Sequence, residues 1–403
     1  MKKKMFSKNY NILLFGNAIS DFGDILYSVA IGYWVYDKTN SIALMGIISS
    51  ISMFVQMFLL PISGTIIDRI NRKNVIIIAD IIRGILMIGC GILAIYNNLN
   101  IPIVLFVALI ASFCSLFFNP AIDTIIIDLL DKDNIVRGQS IFSAVNSFIS
   151  LTSKAISGIL IALIGVGWII IINGLSFILS AISEMFIKLE KREKQNVNIS
   201  FRIIINDLKD GFNALIKNKH LRFFMSIALI INLLGSGAGS IYLAWFLDIG
   251  FDIEMYGFIS AIQTFAYLLG TLFLSVTNLS NKQTYSLFKC GFIISSICSI
   301  FMYGSKNIFV ISILSIIVSL TSVIANSIFS AKIMIKIPDD SKGSIIGLFS
   351  TCTIGGAAIS SVLYGFLSEY ISTTYVFIGL SIITLIPLFI MVFNSKTKEF
   401  IYN

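Results

Sequence analysis

The chain has 403 residues, 57% hydrophobic and 12% charged, with a formal net charge of +8 and a mean hydropathy of +0.92. Soluble chains carry roughly 25% charge, so this composition excludes a soluble protein with one anchor and indicates many membrane-crossing segments. The positive balance fits loops retained in the cytoplasm rather than nucleic-acid binding.

A helix needs ~20 apolar residues to cross ~30 Å of hydrocarbon. On that rule the sequence predicts helices at 11–36, 41–67, 75–96, 101–122, 138–165, 167–188, 221–247, 255–277, 284–303, 307–331, 343–369 and 373–394. The fold class is therefore an all-α polytopic membrane protein with two groups of six helices. The expected domains are an N-terminal bundle (1–188), a cytoplasmic linker (189–220) and a C-terminal bundle (221–403). Lys2-Lys3-Lys4 before an apolar run resembles a signal peptide. The run is too long, contains Asp21 and Asp24, and lacks a small-x-small cleavage site, so it is expected to stay as the first span.

Orientation follows from the loops. Of 29 Lys/Arg, 24 fall on the side that holds the N-terminus and two, Lys38 and Lys306, on the other. This asymmetry is expected to place both termini on the cytoplasmic face of the cell membrane. The remaining three, Arg83, Lys154 and Lys289, lie within helices. In the linker, Phe201, Ile204, Ile205, Leu208, Phe212, Leu215 and Ile216 keep helical spacing. They predict an amphipathic helix lying on the membrane face. The stretches Asp131–Gly138 and Pro338–Gly343 both run acidic, basic, then Gly into helices 5 and 11. That similarity suggests a repeat of two parallel halves around a midplane site.

Charges inside a membrane cost roughly 2.5–3.5 kcal/mol each at a helix centre and are usually functional. Asp21 and Asp24 lie three apart on one face of the first helix. Lys154 lies at similar depth in the fifth. Two acids and a base at one depth suggest either a static salt bridge or a proton-titrating group, with proton, Lys154 and substrate competing for one carboxylate. Asp80 and Arg83, also three apart, are expected to pair with each other or with the charged turn before them, as structural or gating groups. Glu369 is expected to be solvated at the outer end of its helix, and Lys289 to snorkel to the cytoplasm.

Candidate substrate-cavity groups are Asn17, Ser20, Tyr27, Phe113, Phe117 and Asn146 in the first half, and Asn232, Tyr242 and Asn326 in the second. Among 33 Phe and 14 Tyr, an aromatic lining suits large apolar or cationic substrates. Gly235-Ser-Gly-Ala-Gly239 could let its helix bend, Gly355–Ala358 allows close helix approach, and Pro120 is expected to distort the inner end of helix 4.

The sequence lacks a G-x-x-x-x-G-K-[ST] loop, an H-E-x-x-H pair and a T-V-G-Y-G filter, which argues against ATP hydrolysis, zinc hydrolase chemistry and a potassium channel. His220 is the single histidine, and the five cysteines fall inside apolar segments. No cofactor, metal or disulfide framework is expected. The expected partners are a small-molecule substrate, protons and the lipid bilayer, with the chain working as a monomer.

The turn Gly64-Thr-Ile-Ile-Asp68-Arg69-Ile-Asn71-Arg72-Lys73 separates two membrane-length segments. Its G-x-x-x-D-R-x-x-R-K pattern resembles the signature loop between helices 2 and 3 of the major facilitator superfamily. Asn71 stands where that family usually has Gly, and Asn is best able to replace Gly at positive φ. The resemblance implies a gating loop. Asp68 would latch onto the start of the eleventh helix near Gly343, reinforced by Arg69, Arg72 and Lys73 through Asp123, Asp128 or Asp339. Ser20-Asp-Phe-Gly23-Asp24 and Phe118-Asn-Pro120-Ala-Ile-Asp123 are similar to the macrolide-efflux type of drug exporter and its siderophore-exporting relatives. That similarity implies proton-driven export of amphipathic molecules with Asp24 as the coupling residue. Drug antiporters commonly carry Gly-Pro in the fifth helix, where this chain has Ser153-Lys154. Export of a siderophore or other metabolite, an uptake carrier and a lipid flippase remain alternatives, as does a non-transporting membrane enzyme or receptor.

Overall fold

In the computed structural model, the apolar segments become helices whose ends are closed by nearby polar groups. The structure describes residues 7–67, 70–131, 134–189, 219–277, 279–336 and 342–394, with Phe212, Thr397 and Lys398. The first half contains α1 (Lys8–Thr39), α2 (Ile42–Ile67), α3 (Arg72–Ile95), α4 (Ile101–Leu129), α5 (Ile135–Ile164) and α6 (Val166–Met185). The second contains α7 (Lys219–Gly235), α8 (Gly237–Asp248), α9 (Ile253–Val276), α10 (Asn281–Gly304), α11 (Ile308–Lys336), α12 (Lys342–Tyr370) and α13 (Thr373–Phe393). Taking α7 and α8 as one span, twelve segments among the described residues are long and apolar enough to cross a membrane.

Hydrocarbon offers no hydrogen bonds, so each helix end needs its own partner. Ser7 accepts from the Tyr10 N–H at 3.2 Å to start α1. Asn40 ends it in the left-handed region at φ 50°, donating its N–H to the Tyr36 carbonyl at 2.8 Å. Asn100 caps α4 through the Ile103 N–H at 3.0 Å. Ser280 and Gln283 form a reciprocal capping box at α10.

The chain divides into two compact units, residues 1–40 with 54–200, and residues 41–53 with 201–403. In the first, α6 packs on α1 and α3, α4 on α3, and α5 on α1. The same pairings recur in the second: α13 on α7 and α10, α11 on α10, and α12 on α7 and α8. This recurrence is the packing counterpart of the sequence repeat. Leu13, Ile76, Ile122 and Ile125 anchor the first core, and Leu221, Phe224, Phe288 and Met391 the second.

Three local expectations change, and the bend expected at Gly235–Gly239 takes a specific form. First, α4 runs through Pro120 to Leu129 instead of ending near 122. The proline removes one ladder bond, and an apolar environment favours keeping the rest. Second, Asn71 is extended rather than left-handed, at φ −73° and ψ 101°, and caps α3 by accepting from the Asn74 N–H. The seventh span is broken at Ser236, where the Gly237 N–H donates to Ser360 Oγ at 2.8 Å. A Cβ on Gly237 would collide with the Ser360 backbone, so the break needs glycine there. Third, Glu369 is engaged rather than merely solvated. Its Oε1 accepts from Ser41 Oγ at 2.5 Å and from the Ala43 N–H at 3.0 Å, capping the start of α2. Replacing Glu369 by Ala should cost about 1 kcal/mol at that helix start. The check is faster hydrogen exchange at the Ala43 amide.

Lys289 places its ammonium 4.2 Å from the Phe393 ring centroid. The amphipathic helix expected across 201–216 lies, apart from Phe212, outside the described residues.

Candidate functional site

The first unit is built around a close seam between α3 and α6. Gly84 and Gly91, seven residues apart, face Gly174 and Gly167, also seven apart. A Cβ on Gly84 would stand 3.0 Å from the Gly174 carbonyl oxygen, and one on Gly174 would stand 2.8 Å from that of Gly84. Small residues at this spacing let two backbones approach. The approach carries Asp80 and Arg83 on α3 against α6.

Asp80 and Arg83 pair with each other as a salt bridge, with Asp80 fully buried and Arg83 nearly so. The Arg83 guanidinium lies between two rings, 4.2 Å from the Phe118 centroid and 4.3 Å from that of Phe177. One of its amino groups donates to Ser115 Oγ at 3.4 Å. A planar guanidinium can stack on rings and bond a carboxylate at once, which an ammonium cannot do as well. Glu184, near the end of α6, is also fully buried and accepts from Ser180 Oγ at 3.4 Å. It lies within electrostatic range of Asp80 and Arg83.

On α1, the Asn17 side chain donates to Asp21 Oδ2 at 2.8 Å and to Asn146 Oδ1 on α5 at 3.3 Å. The structure therefore brings together three of the expected groups. Asp24 lies half-way along α1 and its side chain stays accessible. It is within electrostatic range of Arg83, as is Asp21. Gly23 beside it packs on Asn173 of α6, with room for no side chain. Ser20 is buried and satisfied by its own helix, through the Asn17 carbonyl at 3.0 Å. Tyr27 is buried, and its hydroxyl makes no hydrogen bond among the described residues. On α4, Phe117 packs onto the first core while Phe113 is exposed.

The expected pairing of Asp24 with Lys154 does not form. Lys154 is exposed and makes no ion pair among the described residues. The cation within electrostatic range of the α1 acids is Arg83 on α3, while Lys154 on α5 is exposed. The gating loop is partly visible. Arg72 forms an ion pair with Asp128 at the end of α4, at 3.0 Å. Lys73 donates to the Met185 carbonyl at 2.7 Å, where a cation meets the negative end of α6. Asp68 and Arg69 lie outside the described residues. Gly64 is helical in α2, and Gly343 lies in the first turn of α12.

In the second unit, Asn232 and Asn326 line one cavity of about 400 Å³ with Phe292, Phe329 and Phe349. Tyr242 is not part of it. Its ring packs at 5.4 Å on Trp245 and 6.1 Å on Tyr256, and its hydroxyl accepts from Gln263 at 3.2 Å. Sequence reasoning missed Glu184, Asn173 and the ring pair around Arg83. An acid inside an apolar segment and Gly-x6-Gly spacing in two helices were the available signals.

The profile for the Major Facilitator Superfamily matches residues 13–352 and 225–399. An uncharacterised MFS-type transporter, YfmI of Bacillus subtilis (strain 168), is 26% identical over 276 residues, 66% of this chain and 65% of that protein. Macrolide efflux protein A of Streptococcus pyogenes is 24% identical over 208 residues, 51% of each chain. The matched stretches thus span about half to two thirds of these relatives. The crystal structure of the nucleoside transporter NupG superposes with a TM-score of 0.75 at 16% identity, covering 96% of this chain and 100% of that one. At that identity the likeness concerns the fold.

Proposed function

This chain belongs to the major facilitator superfamily, and from that premise we propose that it is a secondary active transporter, a proton-coupled exporter of amphipathic small molecules. The observation that carries the coupling is Asp24. It is an accessible carboxylate half-way along a membrane-spanning helix, within electrostatic range of a buried arginine. Such a carboxylate is costly unless it is used. Proton binding would weaken its attraction to Arg83, and proton release would restore it. Because Arg83 is fixed by Asp80 and two rings, that change would bear on α1. This supplies the differential interaction that a two-state transporter needs. Lys154, exposed on α5, would meet substrate or water rather than pin α1.

The two six-helix halves would alternate around the site. The loop at 64–73 would gate from the cytoplasmic side, with Arg72 and Lys73 holding α3 to α4 and α6. Both termini would then lie in the cytoplasm. Similarity to a macrolide efflux protein supports export as the direction. A susceptibility panel on cells with and without the protein tests this reading. The expected result is a several-fold rise in the inhibitory concentration of amphipathic drugs, abolished by a protonophore-sensitive loss of efflux. Unchanged susceptibility across the panel, together with counterflow of a nutrient in proteoliposomes, would favour uptake.

A further inference from the structure

The cavity in the second unit has a chemistry distinct from that of the first. Among the described residues its lining carries no ionisable side chain. The first unit, by contrast, concentrates Asp21, Asp24, Asp80, Arg83 and Glu184. The polar groups of the cavity are two amides, Asn232 and Asn326, and the hydroxyls of Ser330, Ser350 and Thr353.

These groups differ in what they leave free. The Asn232 amide is used twice: its nitrogen donates to the Ala228 carbonyl and its oxygen accepts from Ser236, both at 2.9 Å. Thr353 is bonded to the Phe349 carbonyl at 2.9 Å. Asn326 uses only its nitrogen, donating to the Ser322 carbonyl at 2.9 Å. Its carbonyl oxygen and the hydroxyls of Ser330 and Ser350 make no side-chain hydrogen bond among the described residues. An acceptor and two donor–acceptors therefore remain on α11 and α12, facing an apolar wall from three phenylalanines. About 400 Å³ lies in the lower part of the usual drug-site range of about 300–1,000 Å³.

We infer that this cavity binds an uncharged aromatic or alicyclic group bearing hydroxyl or amide functions. A formal charge would find no counter-ion in it and would lose hydration uncompensated. A hydrocarbon without polar groups would make no hydrogen bond to Asn326, Ser330 or Ser350. The cavity is lined by one unit alone. On this inference the second unit binds the ligand's uncharged group, while Asp21 and Asp24 belong to the first. This rests on the transporter reading only for calling the ligand a substrate; the site itself stands on its lining.

The test uses the full chain in lipid nanodiscs and a neutral aryl-diazirine alcohol as photoprobe, with chloramphenicol as neutral competitor and tetraphenylphosphonium as charged competitor. Labelling is expected on peptides containing Ser330 and Ser350. Chloramphenicol should compete and tetraphenylphosphonium should not. Ser350→Phe, which fills the cavity, should lower labelling at least tenfold, and Ala228→Leu on the facing helix should do the same if the first variant is poorly folded. Label scattered over lipid-facing helices, label insensitive to both filling variants, or equal competition by the charged compound would overturn the inference. Correct labelling without proton-driven movement would instead retire the transport reading and keep the site.

Discussion

Replacing Asp24 by Asn is expected to reduce proton-driven efflux in everted vesicles to the level of vesicles lacking the protein, while the variant still folds. The substitution keeps size and polarity but removes the titration. Asp24 has no ion-pair contact to lose among the described residues, so stability should barely change. Asp21→Asn is expected to act more weakly. Asp21 is tied to Asn17 at 2.8 Å, and through Asn17 to Asn146 on α5, contacts that an amide at this position would largely keep. Efflux by Asp24→Asn at the wild-type rate would move the coupling elsewhere, first to Asp21 or Glu184.

The second large effect concerns Arg83, and it appears in stability. Arg83→Ala leaves the Asp80 carboxyl without its cation and opens the space between Phe118 and Phe177. Removing one partner of a buried pair costs about 3–5 kcal/mol. Thermal unfolding of the purified protein should show a correspondingly lowered midpoint. Arg83→Lys keeps the charge but forfeits the planar stack, so its loss should be smaller. Asp80→Asn together with Arg83→Met should recover part of what Arg83→Ala loses, because no unpaired charge remains at that pair. A wild-type midpoint for Arg83→Ala would show that the pair contributes nothing to the fold.

Much of the architecture was readable from residue patterns because a bilayer imposes lengths. Twelve apolar runs separated by charged turns leave few alternatives, and the helical break near Gly237 was signalled by three glycines in five residues. The helix ends were less legible. α4 continues past Pro120 because hydrocarbon penalises a broken ladder more than proline strains it. Asn71 caps a helix instead of taking a left-handed turn, since its side chain can satisfy an orphan N–H.

The site was legible in its residue types and less so in its partners. Asp24 could be singled out as a charge in an apolar helix. Its cation could not, because depth along a helix says nothing about which face points inward. Lys154 and Arg83 are both embedded cations by sequence. The structure separates them: Arg83 is buried against Asp80, Phe118 and Phe177, while Lys154 is exposed. Asn232, Asn326 and Tyr242 read alike as polar groups on apolar helices. Packing separates them: the two asparagines share a cavity, while Tyr242 completes an aromatic cluster with Trp245 and Tyr256.

The central claim is that substrate moves against protons. Its most direct measurement uses purified protein in sealed proteoliposomes with a pH-sensitive dye inside and no nucleotide present. With the interior acid, addition of a transported neutral drug outside should produce drug accumulation together with interior alkalinisation in a fixed ratio, and a protonophore should abolish both. Drug accumulation that proceeds at the same rate without a gradient and without any change in internal pH would contradict the account.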